Sequence, residues 1–66
     1  MTNNELKQIR LSMNLTQTAL AELLHVTKGT VYRWERGLWP MPEDKAELLE
    51  FKYAIWLDRN DDPFKV

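Results

Sequence analysis

Three hydrogen-bond donors lie close together in the segment 28–36: Lys28, Thr30 and Arg33. If Val31 and Trp34 of a helix here face inward, these three side chains stay outside the contact. An α-helix fits the major groove of DNA, where Lys and Arg donate to guanine O6 and N7 and Thr meets a thymine methyl or a polar edge. The spacing therefore allows contacts to successive base pairs, although a solvated helix face without a partner carries the same residue types.

A second pair of charged residues occupies apolar positions. Arg10 lies on the apolar stripe of the first predicted helix, and Glu35 lies beside Val31 and Trp34. Each charge would be costly if it were buried alone, and together they can form an ion pair across two helices. The alternative is that both side chains extend to water along their apolar stems.

The apolar spacing predicts four helices, near residues 3–13, 17–24, 28–36 and 42–57. Thr2, Thr16 and Thr27 have the positions and residue type of N-caps. The short break between the second and third helices is typical of a helix-turn-helix. The predicted fold is all-α, a compact four- to five-helix bundle with a helix-turn-helix DNA-binding domain at residues 1–58 and a C-terminal tail at 59–66.

The charge distribution is uneven along the chain. The formal net charge is −1, but residues 1–37 are net basic and residues 38–66 are net acidic. A phosphate-binding surface needs local positive charge and not a basic total. The composition is therefore compatible with a nucleic-acid partner.

Catalysis, metal binding and cofactors find no support in the sequence. There is no cysteine, and the single histidine, His25, has no ligand partners at metal-site spacing. The single serine, Ser12, has no nearby base to activate it. We expect no enzyme activity, no metal and no cofactor. No apolar run approaches the roughly 20 residues that span a membrane, so we expect a cytoplasmic protein.

The fourth predicted helix has apolar residues on more than one face. Their number exceeds what one small core can hold. Core packing accounts for part of this surface, and a symmetric dimer contact would account for the rest. The expected dimer contacts are Phe51, Tyr53, Ile55, Trp56 and Phe64. Two copies would place two recognition helices about 34 Å apart on an inverted repeat.

One residue pattern over the second and third predicted helices is similar to that of a known family. The pattern Gln-x3-Ala-x4-Val-x4-Val-x2-Trp-Glu-x-Gly is formed by Gln17, Ala21, Val26, Val31, Trp34, Glu35 and Gly37. It resembles the Cro/C1-type (XRE-like, phage repressor) helix-turn-helix family, over about residues 3–57. The resemblance implies a buried pair of Arg10 with Glu35 and a phosphate contact from Gln17. It implies base reading by Lys28, Gly29, Thr30 and Arg33, with Tyr32 as a further candidate. The other expected phosphate contacts are Thr16, Thr27 and Arg36.

Two residues depart from the family pattern. His25 stands where a glycine is usual, at the turn after the second helix, and a left-handed conformation there costs a non-glycine residue roughly 1 kcal/mol. Gly29 has no side chain with which to read a base and costs about 0.5–1 kcal/mol in a helix. It would either let the backbone approach the groove closely or reduce specificity.

The expected function is a dimeric transcriptional repressor that binds double-stranded DNA at an inverted-repeat operator. The opening Met1-Thr2-Asn3-x-Glu5-Leu6, the block 32–37 and the start of the fourth helix resemble anti-CRISPR-associated repressors of phages more weakly. That resemblance implies autoregulation of a phage operon. The alternative is an antitoxin whose fourth helix and tail cover a toxin, with DNA binding as a secondary activity.

Overall fold

A computed structural model describes residues 1–60 of the chain. Within that range the chain forms four α-helices and no strand: α1 (Asn3–Ser12), α2 (Gln17–Leu24), α3 (Lys28–Glu35) and α4 (Glu43–Asn60). The all-helical prediction is confirmed. The predicted bounds of α1 and α3 are each one residue too long, because Met13 and Arg36 are the C-caps of these helices.

One apolar core joins all four helices. Leu6 of α1, Leu20 and Leu24 of α2, Val31 of α3 and Leu49 of α4 are fully buried. The core is completed by Ala21 and Trp34, and half-buried side chains pack against it, among them Ile9, Met13, Leu15, Leu23, Val26, Met41 and Leu48. Because α3 contributes only Val31 and Trp34 as buried residues, most of its surface remains outside the core.

The first three helices begin with the same type of cap. Thr16 and Thr27 each accept a hydrogen bond on the side-chain oxygen from the backbone three residues ahead, at 3.0 Å from Ala19 and 3.2 Å from Thr30. Thr2 forms a full capping box with Glu5, since each side chain accepts from the other's backbone N–H. These caps fix where each helix starts.

The same three helices also end alike, each at a residue with left-handed backbone. Asn14 has φ 58°, His25 φ 60° and Gly37 φ 73°. In each case the N–H of the following residue bonds to the carbonyl five residues back, as Val26 does to Ala21 at 2.9 Å. This is the Schellman arrangement, which glycine adopts most easily. His25 therefore occupies the left-handed position that the sequence predicts, and Asn14 occupies a second one that was not predicted.

Helix α4 is the longest element and the least enclosed. Its first turns pack on α2, with Leu49 in the shared core, and the Lys45 ammonium donates to the Leu24 carbonyl at 3.0 Å. The helix has 18 residues, about 27 Å at 1.5 Å per residue. It extends three residues beyond the predicted end, so 58–60 are helical. Phe64 and the rest of 61–66 lie outside the described residues.

No helix within residues 1–60 has the length and apolar character needed to cross a membrane.

Candidate nucleic-acid interface

Helix α3 presents its outer surface because its inner surface is fixed by two buried side chains. Val31 is fully buried and Trp34 nearly so. The turn 25–27 brings α3 against α2, and the half-buried Val26 packs on the core. On the outer side Lys28, Tyr32 and Arg33 are exposed, and so is Arg36 at the C-cap. The predicted set of side chains therefore lies on one accessible helix.

The Thr side chains at the interface have a structural task as well. The hydroxyls of Thr27 and Thr30 lie 2.9 Å apart, and Thr27 also accepts from the Thr30 backbone. Thr30 is half-buried, whereas Thr16 and Thr27 are exposed at the N-termini of α2 and α3. Thr16 caps its helix as an acceptor and keeps its hydroxyl proton for donation to an anion, whereas Thr27 and Thr30 use one of their two hydroxyl protons between them.

Arg10 and Glu35 form an ion pair between α1 and α3. The guanidinium donates from Nε to Glu35 Oε2 at 2.6 Å and from Nη2 to Oε1 at 3.0 Å, which is bidentate geometry. The two side chains are only 11% and 5% exposed. Arg10 also donates from Nη1 to the Leu15 carbonyl at 2.9 Å. The pair connects two helices, which is the arrangement that the sequence predicts for Arg10 and Glu35.

This pair also sets the charge of the candidate interface. Glu35 is the only acidic residue of α3, and it is turned inward and matched by Arg10. The exposed charges of α3 and its cap are consequently all positive: Lys28, Arg33 and Arg36. A surface of this sign favours an anionic partner such as the phosphate backbone of DNA.

Gln17, at the first position of α2, has a contact that the sequence did not reveal. Its side-chain amide donates to Glu35 Oε1 at 3.3 Å, which adds a third helix to the ion-pair network. The amide of Gln17 lies beside an open groove, whose other lining residues are Lys28, Gly29, Tyr32, Arg33 and Leu38. The residue is therefore held in place next to the basic side chains of α3.

Two aromatic side chains lie against arginines of this surface. The Arg33 guanidinium carbon is 4.6 Å from the centroid of the Trp39 ring, and that of Arg36 is 5.7 Å from the Tyr32 ring. Both distances are within the range of cation–π contacts. The sequence does not reveal the Trp39 contact, because a contact between α3 and the following loop depends on how the chain turns at Gly37.

The apolar side chains expected at a dimer contact do not share one face of α4. Phe51 is 65% exposed and Ile55 41% exposed, and four residues along a helix places them side by side. Tyr53 and Trp56 are half-buried and stack on each other, with ring centroids 6.1 Å apart. At about 100° per residue, Tyr53 lies on nearly the opposite side of the helix from Phe51. Phe64 lies outside the described residues.

In the described part of the chain, no three His, Cys, Asp or Glu side chains are grouped so that they could hold a metal ion.

Comparison with known proteins identifies a family. A family model described as helix-turn-helix matches residues 6–49, more than half of the chain. The matched segment begins at Leu6 in α1 and ends at Leu49 in α4, so it contains the whole of α2, the turn and α3. No curated protein and no solved structure matches the chain.

Proposed function

The chain belongs to the Cro/C1-type helix-turn-helix family of DNA-binding transcription regulators, and we propose that it acts as a dimeric repressor. In this proposal α3 enters the major groove of an inverted-repeat operator that overlaps a promoter, and the bound dimer excludes polymerase. The observation that carries the proposal is the outer surface of α3. It combines exposed donors with a wholly positive charge, because its one acid is buried against Arg10.

The base-reading residues lie on the N-terminal and outer part of α3. Lys28 and Arg33 are exposed donors suited to guanine O6 and N7, and Thr30 and Tyr32 flank them. Gly29 lies beside Arg33 on the outward surface, one helical turn away. We assign Arg33 the main role in discrimination, since a guanidinium can donate two parallel hydrogen bonds to one guanine.

The phosphate contacts frame this helix on both sides. Thr16 and Thr27 lie at the N-termini of α2 and α3, where unpaired backbone N–H groups and the helix dipole favour an anion. Gln17 is held beside the groove by its bond to Glu35, and Arg36 extends from the opposite end of α3. These contacts would orient the domain without reading sequence.

We propose a second copy of the chain as the partner of the exposed stripe on α4. Phe51 and Ile55 are adjacent on one face of α4 and exposed, and neither belongs to the apolar core. Burial of one Phe side chain contributes about 1.5–3 kcal/mol, and a two-fold contact counts each residue twice. Two joined copies would read both halves of the inverted repeat. Tyr53 and Trp56 lie away from this stripe and stack on each other, so they are not part of the proposed contact.

Selection of bound sequences from a random DNA pool, at near-physiological salt, tests the proposal. We expect an inverted repeat whose half-sites are about one helical turn, roughly 34 Å, apart. The matched control is the Lys28→Ala/Arg33→Ala protein, which should remain folded and select no repeat. A folded wild-type protein that enriches no sequence would contradict the proposal. Enrichment that appears only with a co-encoded protein bound to α4 would favour the antitoxin alternative.

A further inference from the structure

We infer that Trp39 is a positioning residue that holds Arg33 in its base-reading orientation. The inference rests on the proposed function and adds a specificity determinant outside the recognition helix. The Trp39 ring lies under the Arg33 guanidinium, 4.6 Å from ring centroid to guanidinium carbon. The ring is 49% exposed, so packing against the protein accounts for only part of its surface.

The loop after α3 places Trp39 at this point by three local constraints. Gly37 turns the chain in the left-handed conformation, at φ 73°. The N–H groups of Leu38 and Trp39 then both donate to the carbonyl of Arg33, at 2.9 and 3.4 Å. Pro40 follows and disfavours a helical backbone at Trp39, so the chain does not continue as a helix. The backbone that carries the Trp39 ring is thus hydrogen-bonded to Arg33, the residue whose guanidinium the ring contacts.

Gly29 supplies the space in which the guanidinium lies. A Cβ atom placed on Gly29 would come within 2.9 Å of Arg33 Nη1. A Cβ carbon essentially never lies this close to a neighbouring atom, so any larger residue would push the guanidinium aside. The missing side chain at position 29 therefore has a specific consequence. It lets Arg33 fold back along its own helix toward the N-terminal turn, the part of a recognition helix that reaches base edges.

The contact with Trp39 leaves the donors of Arg33 available. The ring lies against the guanidinium carbon, 4.6 Å from the ring centroid, and a cation–π contact uses the charge of the guanidinium and not its N–H groups as hydrogen-bond donors. An arginine fixed in this way has less side-chain freedom to lose on binding, which favours the bound state. Loss of the Trp39 contact should change the preference at the one base pair that Arg33 reads. Among the ring contacts observed in residues 1–60, Arg33 is the base-reading residue that Trp39 contacts.

Two substitutions of Trp39 separate stacking from bulk. Trp39→Phe keeps an aromatic face under the guanidinium, whereas Trp39→Leu keeps an apolar side chain without one. A cation–π contact at an exposed site corresponds to about a two- to fivefold change in an equilibrium constant. We expect Trp39→Leu to lose this factor in preference at one base pair of each half-site, with unchanged binding to unrelated DNA. Trp39→Phe should keep the wild-type preference.

Gly29→Ala tests the same unit from the other side. Alanine is a better helix former than glycine, so the melting temperature should rise, while preference at the Arg33 base pair should fall. A merely structural role for Gly29 would not move stability and specificity in opposite directions.

The experiment combines NMR of the free proteins with selection from a random DNA pool. Upfield ring-current shifts of the Arg33 side-chain protons should be present in wild type and Trp39→Phe and absent in Trp39→Leu. If wild type selects a repeat and the Leu variant selects it with the same base preferences, the inference is wrong and the proposed function stands. Absence of the ring-current shifts in wild type would also overturn it. A wild-type protein that selects no sequence overturns the proposed function, and the positioning role with it.

Discussion

Removal of the Glu35 carboxylate should destabilise the fold strongly, because it breaks a nearly buried ion pair. Glu35→Ala leaves the Arg10 guanidinium, which is 11% exposed, without its two carboxylate acceptors. It also removes the acceptor of Gln17. The bond from Arg10 to the Leu15 carbonyl would remain. The variant therefore contains a nearly buried charge with one neutral partner.

The expected loss can be compared with the total stability. Removing one partner of a buried ion pair costs about 3–5 kcal/mol. Arg10 is still 11% exposed and keeps the Leu15 carbonyl as an acceptor, so we expect the lower end of that range. A domain of this length has a free energy of unfolding of about 3–10 kcal/mol. Glu35→Ala should accordingly lose about 3 kcal/mol, a large share of the total.

Urea unfolding followed by helical circular dichroism measures this loss at fixed protein concentration. With a slope near 1 kcal/mol per molar urea, the midpoint should fall by about 3 M. The control is Arg10→Met/Glu35→Leu, which removes both charges and replaces them with apolar side chains. It should recover most of the loss, because a buried pair is often replaceable by packed apolar residues.

Two results would refute this reasoning. An unchanged midpoint for Glu35→Ala would mean that the pair is screened by water in solution. A double variant that is as unstable as Glu35→Ala would mean that the loss does not come from leaving the Arg10 charge unpaired.

Three further predictions concern other parts of the chain. His25→Gly should raise the melting temperature by about 2–8 °C, since it relieves roughly 0.5–1 kcal/mol of left-handed strain; His25→Ala should not, and a lower value for the Gly variant would argue against strain at this turn. Arg33→Ala should lose about 1–3 kcal/mol of discrimination at particular base pairs, whereas Gln17→Ala should weaken operator and random DNA alike. A quantitative binding panel distinguishes them, and an equal loss on every sequence for Arg33→Ala would remove it from base reading. Phe51→Ser should shift sedimentation toward the monomer and Leu57→Ser should not; an unchanged profile for Phe51→Ser would exclude the stripe as the dimer contact.

Local signals in the sequence account for most of the fold. Threonine caps and apolar spacing are properties of neighbouring residues, so the helix starts could be located at Asn3, Gln17 and Lys28. The Arg10–Glu35 pairing could also be anticipated, because each charge lies on an otherwise apolar face. The left-handed backbone of Asn14 was not predicted, although Asn is a residue type that tolerates this conformation.

The contacts that the sequence did not reveal depend on chain closure. Trp39 reaches Arg33 only after the chain turns at Gly37, and no periodicity encodes that return. Gly29 one turn before Arg33 could have suggested that a side chain needed space there. On α4, the number of apolar residues indicated a second surface. Their helical positions would also have separated Phe51 from Tyr53, which lie on different sides.

Methylation interference on the selected operator tests most directly whether α3 reads bases in the major groove. Methyl groups on guanine N7 project into the major groove, where the proposed Arg33 contact lies. We predict that methylation of one guanine in each half-site blocks binding of the wild-type protein and no longer affects the weaker binding of Arg33→Ala. Binding that tolerates N7 methylation throughout both half-sites would contradict the account.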